Sequence, residues 1–476
     1  MHPWSVIAVN FMSLLRFIVL AMSDIDPFFA PRSVTLIGVS RDMDKFNGII
    51  LKNLLAVNYP GKIYLVNPNA KEILGIKCYA RLVDLPEVPE LAIILHSDVA
   101  RILENCGKKG IKHVIIQADI SLQEGTDRNL FDNTLTEIAS RYGIKFMGPS
   151  LIGLINFPGH FTSSLIPVRD HVARLGEDPA RAAIGFMAQS GGLAGACGWW
   201  HPSQDISFAK VVHFHGQVDG SIPDGALMKY IAADPNVKVV SLFVRKITQS
   251  LVDAVRDCTR AKPVLFKKCG QPVDVDMLVA AGALQVEDYM DLFEIAKVFI
   301  FSPRPAGNRI GLIGPSSGAI DVVLSEFKKN GLELARPSPE IERKIIDLLG
   351  GRVGKRCNPV DFWPPPRFFG HEIGRIHLEA AEYLLSDPNV DAIFLILEFF
   401  HEIEFDLRIF EEVLARHPDK PVMGVLIQAE EDGGSRVVKA ATSLKIPIFS
   451  EPERLVRAYS TLFQFSRALG KTTRTS

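Results

Sequence analysis

The sequence predicts an α/β protein made of three parallel-sheet blocks in series. Short runs rich in Val, Ile and Leu recur along the 476 residues, amphipathic stretches of helical period separate them, and the rhythm restarts twice after Pro- and Gly-rich punctuation. In the first block the strand candidates are SVTLIGVS (33–40), KIYLVNP (62–68), LAIIL (91–95), HVIIQA (113–118) and KFMGPS (145–150), with helical patterns such as SDVARILENCGKKG between them. The second block carries AAIGFMAQSGG (182–192), KVVSLFV (238–244) and KPVLFKK (262–268). The third carries RIGLIGPSSG (309–318), DAIFLILEF (391–399) and KPVMGVLIQA (420–429). Breaks fall at IGLINFPGH (152–160) and FSPRPAGNR (301–309), so the expected domains are 25–150, 151–305 and 306–470, with 1–24 outside the core.

A chain this long exceeds one hydrophobic core. With 47% hydrophobic and 22% charged residues it reads as soluble and globular, and a net charge of −1 gives no electrostatic footprint for nucleic acid. Six cysteines without CxxC spacing fit a reducing cytoplasm and argue against a zinc site or a disulfide framework. The apolar stretch FMSLLRFIVLAM (11–22) is interrupted by Arg16 and falls short of a membrane span. It reads first as an upstream mis-start before Met22 and second as a poor signal or anchor, so no membrane is expected as partner.

Three loops have chemistry-bearing composition. In LIGVSRDMDKFNGIILKNLL a strand turns at Gly38 into a helix whose free N–H groups face an anion, with Lys45 adding charge. VNPNAK follows the next strand with Asn67, Pro68 and Lys71. In a doubly wound sheet both loops face one crevice at the carboxyl ends of the strands. FMAQSGGLAGACGWW ends a strand at Ala188 and opens a small-residue helix through Gln189, Ser190, Gly191 and Gly192, a composition suited to phosphate. IGPSSGAIDVV in the third block has the same form. VVHFHGQVDG is read as placing His213 and His215 on one face of a strand; no third ligand stands nearby, so a metal is not expected.

Taken together and in order, PRSVTLIGVSRDMDKFNGIILKNLL, GKIYLVNPNAKEILGIKCY, KFMGPSLIGLIN, AQSGGLAGA, KPVLFKKCGQ, GNRIGLIG, CNPVDF and IPIFSEPERLVRA resemble the NDP-forming acyl-CoA synthetase family, near succinyl-CoA ligase alpha chains and ADP-forming acetyl-CoA synthetases. The resemblance implies a Rossmann-like CoA-binding domain followed by two flavodoxin-like, succinyl-CoA synthetase-type domains. It implies a CoA or acyl-CoA pocket lined by Gly38, Ser40, Lys45, Asn67, Pro68 and Lys71, with His96 and Gln117 in the loops after the next two strands. It implies phosphate binding at Gln189, Ser190, Gly191 and Gly192. ATP or ADP with Mg is expected only through a separate ATP-grasp, beta-type subunit, within an oligomer.

The family's chemistry runs through a phosphohistidine in a SHTGAL-type turn. The turn VAAGAL puts Ala280 in that position, and FVRKI puts Arg245 where the family's orienting glutamate stands. A cation there opposes an imidazolium. LHS (95–97), QADI (117–120, with Asp119) and GPSLIG also depart from the pattern. The expected function is therefore a CoA-binding alpha-type subunit handling acyl-CoA and acyl phosphate without the usual phosphohistidine, with His213 or His215 as surrogate carriers. The alternatives are a non-catalytic CoA or acyl-CoA binding regulator on the same scaffold and, more remotely, a transferase using a phosphate leaving group.

Overall fold

The computed structural model describes residues 24–118, 128–202, 204–215, 222–270, 275–350, 357–363, 367, 371–400 and 404–472. The segment before residue 24 and Asp119 lie outside these. The described residues form two compact units: 24–201 with 206–286, and 202–205 with 287–472.

The first unit holds two sheets. Strands β1 (Ser33–Ile37), β2 (Lys62–Val66), β3 (Glu72–Ile73), β4 (Ile76–Tyr79), β5 (Leu91–Ile94), β6 (His113–Ile116) and β7 (Lys145–Met147) run in the order β3-β4-β2-β1-β5-β6-β7. All neighbours are parallel except the β3–β4 hairpin. β1 and β5 are buried along their whole length, as strands covered on both faces must be, and this is why their sequences read as continuous apolar runs. Helices Phe46–Ala56, Val99–Lys109 and Arg128–Tyr142 supply the crossovers. Between β4 and β5 there is only one 3-10 turn, Leu82–Asp84.

The second sheet contains β8 (Leu154–Asn156), β9 (Phe161–Thr162), β10 (Ala182–Ala188), β11 (Ser207–His213), β12 (Val239–Val244), β13 (Val264–Lys268) and β14 (Leu284–Gln285), ordered β14-β13-β12-β10-β11-β8-β9. β8 and β9 are antiparallel additions at one edge. Buried side-chain amides join them to the first sheet. Asn53 donates to Ser164 O and Ile166 O, both at 2.8 Å, and accepts from Val168 N at 2.9 Å. Asn156 donates to Phe29 O at 3.0 Å. Each amide satisfies backbone groups that have no strand partner, and one continuous apolar core lies behind them.

The second unit carries β15 (Arg309–Gly314), β16 (Glu333–Leu334), β17 (Val360–Asp361), β18 (Ala392–Phe399), β19 (Val422–Ala429) and β20 (Ile448–Phe449), parallel throughout, ordered β16-β15-β18-β19-β20 with β17 continuing beside the end of β15. Residues from 287 onward pack with this sheet, ahead of the break expected at 305. The reason is ionic: the fully buried Asp291 carboxylate receives Arg454 Nε at 2.8 Å and Arg457 at 3.4 Å from the terminal helix. The carboxamide of Gln204 bonds Ile446 O and Ile448 N at 2.9 and 3.0 Å, which pins residues 202–205 here. No helix among the described residues is long and apolar enough to cross a membrane.

His377 sits wholly inside this second core, between the rings of Phe362 and Phe405, each with its centroid 5.1 Å away. Its Nδ1 faces Ile373 O at 2.9 Å. Burial pushes its pKa down from 6.5 to about 4. Between those values the unfolded chain binds more proton than the folded one, so stability is full above pH 6.5 and falls as pH falls toward 4. The effect is up to about 3 kcal/mol. Urea denaturation at pH 7, 6 and 5 is expected to show wild-type stability dropping faster than that of His377→Leu, whose profile lacks this proton uptake.

Candidate CoA and acyl-phosphate site

Strand order alone places a crevice between β1 and β5. The chain runs from β1 toward β2 and from β5 toward β6 in opposite directions, so right-handed crossovers put their helices on opposite faces. Because the β4–β5 link lacks a crossover helix, the sheet face beside Val99–Lys109 stays partly uncovered. The result is a pocket of about 570 Å³. Its floor is Ile37, Val66 and Ile102, and its rim includes Gly38, Pro68 and His96.

Gly38 has φ +90°, and a Cβ there would stand 2.9 Å from His96 Cβ. Only glycine brings the two loops this close. Asn67 is a brace: its amide donates to Val39 O at 2.8 Å and its Oδ1 accepts from Asn69 N at 2.8 Å, locking the loop after β1 to the loop after β2. Ser40 Oγ accepts from Asp42 N at 3.0 Å, Lys45 stands exposed 3.9 Å from Asp42, and Lys71 is exposed on the following loop. These three flank the pocket edge without lining it. Gln117 is different. Its amide donates to Ile152 O at 3.1 Å and Ser163 O at 2.6 Å, toward the second sheet, and does not reach the pocket. The expectation that it touches CoA is corrected: the strand end was read properly, but the side-chain amide is committed to the carbonyls of Ile152 and Ser163. Sequence reading missed Arg81, Val83, Arg101, Asn105 and Lys108, which also line it. The signal was present, since 101, 105 and 108 recur at helical spacing on one face.

The second candidate edge is in the neighbouring sheet. Ala188 is level with His213 on one side and with Phe243 on the other, and Phe243 is level with Lys267. The loops after β11, β10, β12 and β13 therefore leave from one edge. Gln189 is buried and ties two of these loops. Its Oε1 accepts from Arg245 N at 2.5 Å and Lys246 N at 2.8 Å, and its Nε2 donates to Lys246 O at 2.8 Å. Its side chain is thus committed to backbone. What it offers an anion is position: it sets the cation-bearing residues 245 and 246 beside Ser190, Gly191 and Gly192. A Cβ at Gly191 would lie 2.3 Å from Ile152, whereas Gly192 opens to space. Lys268 Nζ bonds Arg245 O at 2.5 Å and Cys269 O at 3.1 Å.

β11 ends at His213, so His215 lies beyond the strand and the shared face expected for the pair is corrected. The two rings still meet edge to face, centroids 4.9 Å apart. His213 is buried and its Nδ1 accepts from Ile152 N at 3.0 Å. The neutral ring then carries its proton on Nε2, leaving no Nε2 lone pair to attack phosphorus. Among the described residues no group of three or more His, Cys, Asp and Glu could hold a metal.

Ala280 is not at this edge. It closes helix Val275–Ala280, and the chain then turns through Gly282, φ +94°, into β14. β14 is parallel to β13 with Leu284 beside Leu265, and Ala281 O receives Thr259 Oγ1 at 2.8 Å. Thr259 ends the helix that precedes β13. The VAAGAL turn therefore lies where β13 begins, across the sheet from Ser190 and Arg245. The correspondence of Ala280 with the family's histidine fails on this geometry. The conclusion drawn from it stands on other ground: no residue from Cys269 to Ala283, the whole connection from β13 to β14, is a histidine.

Two stretches of the chain match known domain families: residues 32–156 the CoA binding domain family and residues 181–277 the succinyl-CoA ligase like flavodoxin domain family. The chain resembles ADP-forming acetate–CoA ligases along nearly its whole length. It is 27% identical to the acetate–CoA ligase [ADP-forming] II subunit alpha of Pyrococcus furiosus, over 94% of this chain and 99% of that one. It is 25% identical to the acetate–CoA ligase [ADP-forming] I of Archaeoglobus fulgidus, of whose length it spans 64%. A solved protein of Pyrococcus horikoshii OT3 shares its fold with a TM-score of 0.78 at 24% identity, covering 94% of this chain and all of that one. The dinucleotide forming acetyl-coenzyme A synthetase 1 of Ca. Korarchaeum cryptofilum does so at 0.77 and 21%, covering 95% of this chain and 99% of that one.

The Gln189 brace gives a direct test. Gln189→Ala leaves two buried-edge N–H groups and one carbonyl without their partner, and is expected to lower unfolding free energy by about 1–3 kcal/mol. Guanidinium denaturation of the variant against wild type measures it.

Proposed function

We propose that this chain is the CoA-binding, alpha-type subunit of an ADP-forming acyl-CoA synthetase-like complex, and that it performs the thioester-forming half of the reaction. The observation that carries this is the pairing, within one compact unit, of a CoA-type crevice with a glycine-rich, cation-flanked edge whose β13–β14 connection holds no histidine. The crevice suits CoA: an apolar floor for adenine, a glycine-tight carboxyl edge for the diphosphate, and cationic walls. On this reading residues 25–150 form the CoA-binding domain, 151–305 and 306–470 the two ligase domains. Gly38, Pro68 and His96 contact CoA, with Ser40, Lys45, Asn67 and Lys71 shaping the loops around it. Ser190, Gly191 and Gly192, with Arg245 and Lys246, hold the phosphate of an acyl phosphate. An ATP-grasp subunit, using ATP and Mg, makes that acyl phosphate.

The chemistry needs no covalent carrier. The CoA sulfur attacks the acyl carbon, the carbon–oxygen bond to phosphate breaks, and inorganic phosphate leaves with the thiol proton. Backbone N–H groups and Arg245 stabilise the charge on the departing phosphate. Here the arginine that would oppose a phosphohistidine assists a leaving dianion.

Mixing the purified chain with CoA and acetyl or a longer acyl phosphate is expected to give acyl-CoA and phosphate in equal amounts without nucleotide. Arg245→Glu is expected to slow this at least tenfold. Calorimetric CoA binding with no thioester formed from any acyl phosphate would contradict the catalytic reading and leave a binding role.

A further inference from the structure

The wall of the CoA crevice carries more positive charge than a diphosphate requires. Among the described residues, Arg81, Arg101, Lys108 and Lys109 line it and no Asp or Glu does. Lys109 is spent on structure, its Nζ donating to Val83 O and Leu85 O at 3.2 and 2.6 Å. The other three make only exposed, local ion pairs. Arg81 forks to Asp84 at 2.7 and 3.1 Å, Arg101 pairs with Asp98 at 2.5 Å, and Lys108 with Glu104 at 3.0 Å, each partner three or four residues away in sequence. All three cations are more than half exposed. Such surface pairs contribute little, so an incoming dianion replaces the carboxylate at small cost.

Their positions are extended along the crevice. The helix Val99–Lys109 starts near the carboxyl end of β5 and runs back down the sheet, so Lys108 lies two turns, about 10 Å, beyond Arg101. Arg81 stands on the opposite wall, after β4. The diphosphate belongs at the Gly38–His96 end, which leaves the remaining cations facing a second anionic group past the nucleoside.

We propose that Arg81 and Lys108, beyond the diphosphate end where Arg101 stands, form a rim that reads the 3′-phosphate of CoA, making this chain selective for 3′-phosphorylated CoA over dephospho-CoA. The inference rests on the CoA reading above and adds a specificity to it.

Isothermal titration of wild type with CoA, dephospho-CoA and adenosine 3′,5′-bisphosphate tests it, alongside the double variant Arg81→Gln/Lys108→Gln, whose folding is checked by its melting temperature. Wild type is expected to bind CoA at least about tenfold more tightly than dephospho-CoA. Adenosine 3′,5′-bisphosphate is expected to compete with CoA. In the double variant the CoA to dephospho-CoA ratio is expected to fall below about threefold. Equal wild-type affinities for the two, or an unchanged ratio in a folded variant, would overturn the assignment while leaving CoA binding intact. No binding of either by wild type would overturn the CoA reading itself.

Discussion

The arrangement of candidate chemistry here depends on one constraint: strands in a parallel sheet all point the same way. Every loop that follows a strand then leaves from one edge, and every loop that precedes one lies at the other. β1, β2, β4 and β5 bring the crevice residues together for this reason. β10, β11, β12 and β13 do the same for Gln189, Arg245 and Lys268. The same rule removes Ala280 from consideration, because the parallel β14 can only be entered from the far edge.

Parallel edges alone would leave their loops loose, since successive loops contact each other only through side chains. Primary amides fill that gap. Asn67 joins the loops after β1 and β2, Gln189 joins those after β10 and β12, and Asn53 joins helix Phe46–Ala56 to the strand-free segment 164–168. A carboxamide carries a donor and an acceptor at once, so one residue satisfies both an orphan N–H and an orphan C=O. The cost is that such residues are unavailable to ligands. Gln117 and Gln189 had the composition of contact residues and instead hold the scaffold.

Much of the architecture was legible because buried parallel strands write long apolar runs: each of the eleven quoted strand candidates contains an observed strand. The short strands β3, β8, β9, β14, β16, β17 and β20 were not, being two or three residues long and lacking periodicity. Gly38, Pro68 and His96 were legible as strand-end residues, whereas Arg81 and Lys108 were not, because their role depends on a missing crossover helix. Ala280 misled because a small-residue turn looks alike at either edge of a sheet. Only strand register separates the two.

On the proposed reading, phosphate departs from an acyl group at the glycine-rich edge and never rests on the protein. A β13–β14 connection without histidine and an Arg245 held next to Ser190 by the Gln189 brace both suit that chemistry. The most direct measurement is phosphorus NMR with intact-mass analysis of the chain, taken in its native complex during turnover with ATP, acyl substrate and CoA. The account predicts thioester formation with no covalent phosphate on this chain. A turnover-dependent phosphoryl group on His215, His213 or any other residue would contradict it.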